Sequence, residues 1–215
     1  MRAQIDDLLH RMNVTKGARF NAARRLEGRD RKMALLVALA SALVIALTFV
    51  PFAYQLPKVV IADLSVVTML ASVLILAVSL VQYSNNDAVN AEQHHRCGLE
   101  INELRGELAA KGETLDSAEL QRFSERYARI LDRYSVNHEG LDFDQYRLEH
   151  PEKYPLTLLE RVLVRVRSFI VAQWPNGLML IIVGFFFVLL FHHVLPVRLA
   201  TETTPVPSTV VPGER

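Results

Sequence analysis

Two long runs without a formal charge dominate the pattern of apolar and polar positions: residues 33–57, between Lys32 and Lys58, and residues 64–86, between Asp63 and Asp87. A helix needs about 20 apolar residues to cross a hydrocarbon core of about 30 Å, and each run supplies them. The pattern predicts a transmembrane hairpin over residues 33–83. Its first arm ends at residues 51–57, where Tyr54 and Gln55 suit an interfacial turn, and its second runs from about Val59 to Tyr83 and closes on Ser84, Asn85, Asn86 and Asp87. Two buried core helices of a soluble protein would also be apolar all round. The rest of the chain, however, has too few amphipathic segments to surround them. A third charge-free run separates Arg167 from Arg198, and it predicts a third transmembrane helix over residues 175–197.

The polar sections have helical patterns of their own. Within residues 1–32, Ile5, Leu8, Leu9 and Met12 recur at helical spacing and Phe20, Ala23 and Leu26 extend the stripe, which predicts a basic amphipathic helix. In residues 84–155, His94, Cys97, Ile101, Leu104 and Leu108 form a narrow seam like that of a coiled coil. Gly112 ends that helix, and Asp116 with Glu119 caps a second carrying Leu120, Phe123, Tyr127, Ile130 and Tyr134 on one face. The two read as an antiparallel pair or as extensions packing between subunits, followed by a turn-rich loop over 135–155. Thr157 with Glu160 then opens a helix over residues 156–174, where Leu159, Leu163, Val166 and Ile170 share a face and Arg161, Arg165 and Arg167 add charge. This is the pattern of an interfacial basic helix. The Thr/Pro-rich composition of residues 198–215 predicts a disordered external tail. The fold class is therefore an all-α membrane protein: an N-terminal transmembrane helical hairpin, a cytoplasmic helical region and a third, C-terminal transmembrane helix.

Charge adds orientation. The net charge of +1 and charged fraction of 22% look globular only because polar sections dilute apolar ones. Residues 1–32 hold nine Lys or Arg against four Asp or Glu, while the turn between the arms holds Lys58 alone. Positive charge favours the cytoplasmic side, so the N-terminus is expected inside, the hairpin turn outside, residues 84–167 inside and the C-terminus external. Some thirty polar residues precede the first apolar run, and that run is longer than a signal core, so a cleaved secretory signal is a poor reading of the N-terminus. Arg24, Arg25, Arg29, Arg31 and Lys32, with Arg161, Arg165 and Arg167, are assigned to anionic headgroups. A phosphate-bearing ligand is the second reading for the N-terminal cations. The lone Cys97 permits no intramolecular disulfide and reads as a small buried apolar residue.

Candidate chemistry is sparse. Ala34, Ala38, Ala42 and Ala46 line one side of the first arm and would admit another helix closely. Ser65, Ser72 and Ser79 lie seven apart with Thr68 near the same face; they bond their own backbone or line a water-filled path between chains. Asp63 at the outer end is either a helix cap or one member of a cation-selecting ring. His192 and His193 read as interfacial, with a proton-sensitive gate as the alternative. His94, His95 and Cys97, with His138, Asp142 and Asp144, share no metal-ligand spacing, and no phosphate loop or nucleophile motif occurs. Neither an enzyme, a cofactor, a metal nor a nucleic-acid polymer is expected.

The approach TKGARFNAARRLEGRDRK, the two closely spaced spans, the helix NAEQHHRCGLEINELRGEL and the later RYARILDRYSVNHEGLDFDQYRLEHP together resemble the SLATT family. These are the SMODS and SLOG-associating two-transmembrane effector domains of bacteria. The resemblance covers roughly residues 8–165. It implies a pore-forming effector in nucleotide-signalled antiphage defence, a homo-oligomer in the lipid bilayer triggered by a partner nucleotidyltransferase or a nucleotide-sensing protein. The third span departs from the two-span pattern. A membrane-anchored scaffold whose cytoplasmic helices dock a partner is the alternative, and a small transporter ranks last.

Overall fold

The computed structural model describes residues 1–134, 136–137, 139–171, 173–174, 177, 181, 184–185 and 188, apart from the side chain of Glu113. Every regular element among them is helical: α1 (Arg2–Ala53), α2 (Lys58–Asn85), α3 (Asp87–Lys111), α4 (Ser117–Arg133) and α5 (Gly140–Glu149). Residues 158–171 are helical as well. The boundary expected at residue 32 falls inside one continuous helix, because the basic segment is rich in Ala and Arg, the first arm in Ala and Leu, and no proline intervenes before Pro51. The chain divides into two compact units, Met1–Leu35 with Ser79–Pro175, and Leu36–Val78 with Asn176–Arg215.

The first unit is a helical bundle with a conventional core. The seam predicted for α3 is buried from His94 through Leu108, and Cys97, Ile101 and Leu108 have no exposure at all. It packs on Phe123, Tyr127 and Ile130 of α4 and on Ile5, Leu8 and Met12 of α1. The N-terminal helix is thus the third wall of this core, which the expected helical pair leaves open. Helices α3 and α4 run antiparallel, as Arg126 reaches Glu107 and Arg133 reaches Glu100. Gly112 makes the reversal with φ 54°, a left-handed conformation that costs glycine least. The capping pair predicted for α4 is present, with Glu119 N–H donating to Asp116 Oδ1 over 2.6 Å.

Helix α5 corrects the loop expected over residues 135–155. Its start is fixed by Glu139 N–H donating to Asp142 Oδ2 at 2.9 Å, and Leu141, Asp142 and Tyr146 are buried. The Tyr146 ring lies on α1 where Gly17 has no side chain: a Cβ there would come within 2.2 Å of the ring. Asn13 completes the contact by donating to Tyr146 Oη at 2.8 Å. One small residue and one large ring thus make the apolar contact between α5 and α1.

The second unit is built around the two apolar arms. Val44 and Leu47 of α1 pack on Ala71 of α2, with Leu64, Val67 and Ile75 alongside. Of the predicted third span, Gly177, Ile181, Gly184, Phe185 and Val188 are described and helical, and Ile181 and Phe185 line an apolar cavity of about 350 Å³ together with Ala40 and Ala71. Its remaining positions, His192 and His193 among them, and residues 198–215 lie outside the described residues.

Candidate functional site

The surface of the apolar arms is the first functional feature. The most apolar windows of α1 and of the α2–α3 stretch have mean hydropathies of 2.7 and 2.6, and only 22% and 11% of each window is buried. A core helix of a soluble protein would show the reverse. Leu35, Leu39, Ile45 and Phe49 on α1 and Leu70, Leu74, Leu76 and Leu80 on α2 are all more than two-fifths exposed. An apolar surface of that extent needs an apolar surrounding. Two of the chain's helices thus have the length, composition and surface of membrane spans.

The predicted residues of this unit distribute as follows. The face by which α1 meets α2 carries Leu36, Ala40, Val44 and Leu47, while Ala34, Ala38, Ala42 and Ala46 are exposed. The alanine stripe is therefore open to contacts beyond the hairpin itself. Thr68 is 7% exposed, and Ser65 and Ser72 are exposed beside it. Their hydroxyls donate to the preceding helical turn: Ser65 to Ile61 O at 2.8 Å, Thr68 to Leu64 O at 2.9 Å and Ser72 to Thr68 O at 2.8 Å. These are the backbone bonds anticipated by the plainer reading. Each hydroxyl oxygen keeps acceptor capacity, because its single proton is the group so used. Ser65, Thr68 and Ser72 edge a groove of about 240 Å³ with Thr48 of the opposite arm. Asp63 and Ser79 are half-buried.

In the bundle, the basic face of α1 is the second feature. Spacings of three and four put Asn21, Arg24, Arg25, Gly28, Arg29 and Lys32 on one side of the helix. They border a cavity of about 450 Å³ whose other walls include Gln145 and Glu149 of α5 and Ser168. Arg25 lays its guanidinium along the buried Asp142 carboxylate, Nε to Oδ1 at 2.8 Å and Nη2 to Oδ2 at 3.1 Å, and also reaches Glu139 at 3.1 Å. Burial opposes the charge on Arg25, but the hydrogen bonds and charges of Asp142 and Glu139 outweigh it, so its pKa lies above the ordinary arginine value. Arg29 forks in the same way onto the buried Asp87, with Nε 2.5 Å from Oδ2, and its pKa is raised chiefly by that hydrogen bond.

Two of the cations assigned to headgroups are thus committed within the protein. Arg25 and Arg29 stand over carboxylates that are 2% and 5% exposed, and a buried carboxylate without a cation would be far costlier than a headgroup contact is favourable. Arg24, by contrast, makes an exposed pair with Glu149 at 3.2 Å. Arg31, Arg165 and Arg167 are exposed, Arg161 is half-buried, and Arg167 lies 4.0 Å from Asp144. Asp87 and Asp142 are the residues the sequence reading missed. They are separated from their arginines by 58 and 117 positions, and no local pattern joins them.

Among the described residues the histidines do not gather. His94 is buried, with Nδ1 3.2 Å from Arg19 Nη1, whereas His95 is exposed beside the Phe20 ring and His138 lies outside the described residues. Among the described residues no group of three His, Cys, Asp or Glu is placed to hold a metal ion. Cys97 has no exposure, and burial pushes its thiol pKa up, opposite to what a reactive thiolate requires.

Comparison with known proteins agrees with this geometry. A family profile described as "SMODS and SLOG-associating 2TM effector domain family 5" matches residues 1–190, extending beyond the resemblance drawn over residues 8–165. No curated protein and no solved structure gives a significant match. The profile describes an effector domain with two membrane helices, and the chain has two helices whose exposed apolar surfaces meet that description. With the match spanning the bundle and the hairpin alike, this chain belongs to the SMODS and SLOG-associating two-transmembrane effector family, the SLATT family.

Proposed function

We propose that this chain is an oligomeric pore-forming effector of a bacterial inner membrane, triggered through its cytoplasmic bundle in antiphage defence. The observation carrying the reading is the hairpin surface: an apolar exterior, an exposed alanine stripe at Ala34, Ala38, Ala42 and Ala46, and a hydroxyl row at Ser65, Thr68 and Ser72 along one groove. Small residues allow helices of neighbouring chains to approach closely. Chains joined along that stripe would bring hydroxyl rows around a common axis, where their spare acceptor capacity can face water. Residues 1–32 and 84–167 would then lie in the cytoplasm, the basic helix over 156–174 at the interface, and residues 175–197 across the bilayer as a third span. A nucleotide or a partner such as a nucleotidyltransferase would act by binding the open arrangement more tightly than the closed one.

The test is ion flux from liposomes holding the full chain, compared with the Ser65→Leu/Ser72→Leu and Ala38→Leu/Ala42→Leu variants. The pore reading expects flux from the natural chain and its loss in both variants, and Asp63→Asn is expected to alter cation preference. Flux unchanged in both would sink it. A second reading, a membrane-anchored scaffold, draws on the hydroxyls' bonds to their own helix, which an anchor needs equally. It expects no flux and an unaltered partner-binding bundle.

A further inference from the structure

The cavity beside the basic face of α1 gathers cationic side chains that pairing within the bundle has already oriented. Four of its lining residues, Arg24, Arg25, Arg29 and Lys32, are cations and two, Asp142 and Glu149, are carboxylates, while Glu139 and Asp87 pair with Arg25 and Arg29 from beyond the lining. We propose that this cavity is a binding site for a phosphate-bearing anion, either a lipid headgroup or a soluble phosphate compound.

Three observations support the assignment. The cations are of two kinds. Arg25 and Arg29 are held rigid by buried carboxylates, which position their remaining donors in advance. Arg24 is held by Asn21 Oδ1 one turn back and by the exposed Glu149, and an incoming phosphate can displace the exposed pair with little loss. Next, Gly28 opens the helix surface at the centre of this face: a Cβ built there meets nothing within 4 Å. Lastly, Ser168 Oγ is buried on the cavity's far side with no hydrogen-bond partner among the described residues. Buried hydroxyls are ordinarily satisfied, and a phosphate oxygen would accept this one. A volume of about 450 Å³ admits a group of nucleotide size. Lys32 is also the last charge before the apolar run of α1, adjacent in the chain to where a headgroup is met.

The binding claim stands apart from the pore reading; only its use as a trigger rests on that reading. The experiment uses the full chain in phosphatidylcholine nanodiscs, titrated with inorganic pyrophosphate by calorimetry. In parallel, its thermal unfolding is compared between phosphatidylcholine discs and discs containing phosphatidylglycerol. Gly28→Leu fills the cavity while favouring the helix, and Arg24→Gln removes one cation without touching the core. Pyrophosphate binding that weakens about tenfold in either variant identifies a soluble phosphate ligand. Stabilisation by phosphatidylglycerol that both variants lose, without pyrophosphate binding, identifies a headgroup. No response in either arm, or responses equal in the natural chain and both variants, overturns the proposal. Binding without liposome flux would sink the pore reading alone, and flux without binding would sink this one alone.

Discussion

Leucine behaves in opposite ways in the two units. Leu104 and Leu108 of α3 are 1% and 0% exposed, whereas Leu74 and Leu76 of α2 are 67% and 61% exposed. Polar residues divide in parallel: the bundle holds Asp87, Asp142, Arg19 and His94 below 9% exposure, each with a partner, while the arms between Lys32 and Lys58 and between Asp63 and Asp87 carry no formal charge. Both units are helical, and α1 contributes to each, so secondary structure does not separate them. The separation lies in where free energy comes from. The bundle gains it by removing apolar area from water, while the hairpin keeps that area outside and relies on a surrounding already apolar.

The largest expected effect tests the polar half of that contrast. Asp142→Ala removes the partner of Arg25 and the acceptor at the start of α5 together, and breaking a buried ion pair of this kind costs about 4 kcal/mol. Unfolding of the solubilised protein by denaturant would measure it, and a loss comparable to an exposed pair would show that the bundle is not the closely satisfied structure described. The apolar half is tested by a matched pair. Leu104→Ala should cost about 3 kcal/mol through transfer and cavity terms, while Leu76→Ala should leave stability nearly unchanged. Equal costs would mean that the exposed face of α2 is buried in some partner even in detergent.

Legibility in the sequence followed the range of the interactions. Charge-free length revealed both spans, and local spacing revealed the α3 seam, the α4 cap at Asp116 and Glu119, and the cap at Thr157 and Glu160, where Thr157 N–H donates to Glu160 Oε2 at 2.8 Å. These features depend on residues within a few turns of one another. The pairing of Arg29 with Asp87 and of Arg25 with Asp142, the seating of α1 against α3 and α4, and the cavity beside Gly28 depend on residues far apart. The basic face of α1 was visible as a run of cations, but which of them were committed was a tertiary fact. Helix α5 fell between the two cases: Glu139 and Asp142 mark its start, yet tertiary contacts, Tyr146 against Gly17 and Asp142 under Arg25, make ten residues worth ordering.

The next effect sharpens the contrast within one helix. Gly17→Ala forces the Tyr146 ring to move and should destabilise the bundle by about 2 kcal/mol, as overpacking does. Gly28→Ala meets open space and should stabilise by about 0.5 kcal/mol, because alanine loses less backbone freedom in a helix. Thermal unfolding of the two variants, measured side by side, checks both signs.

The smallest effect is a dependence on pH that the two units should not share. In the bundle, hydrogen bonds from Lys111 and then from the backbone of Asp116 hold the Glu119 carboxyl below the ordinary glutamate pKa, and the hydrogen bond from Arg126 does the same for Glu107. A pKa depressed by folding adds stability that is complete above the unfolded value of about 4.3 and disappears as pH falls through the folded value. The apolar arms between Lys32 and Lys58 and between Asp63 and Asp87 contain no acid to titrate in this way. Acidification below about pH 4 should therefore loosen α4 before α2. Amide hydrogen exchange in detergent would read this as protection lost first over Ser117–Arg133 and kept over the interior of α2. Glu119→Gln keeps the capping geometry without the titration and should flatten part of the profile. If α2 lost protection at the same pH as α4, the two units would be unfolding as one, and the independence on which the comparison rests would fail.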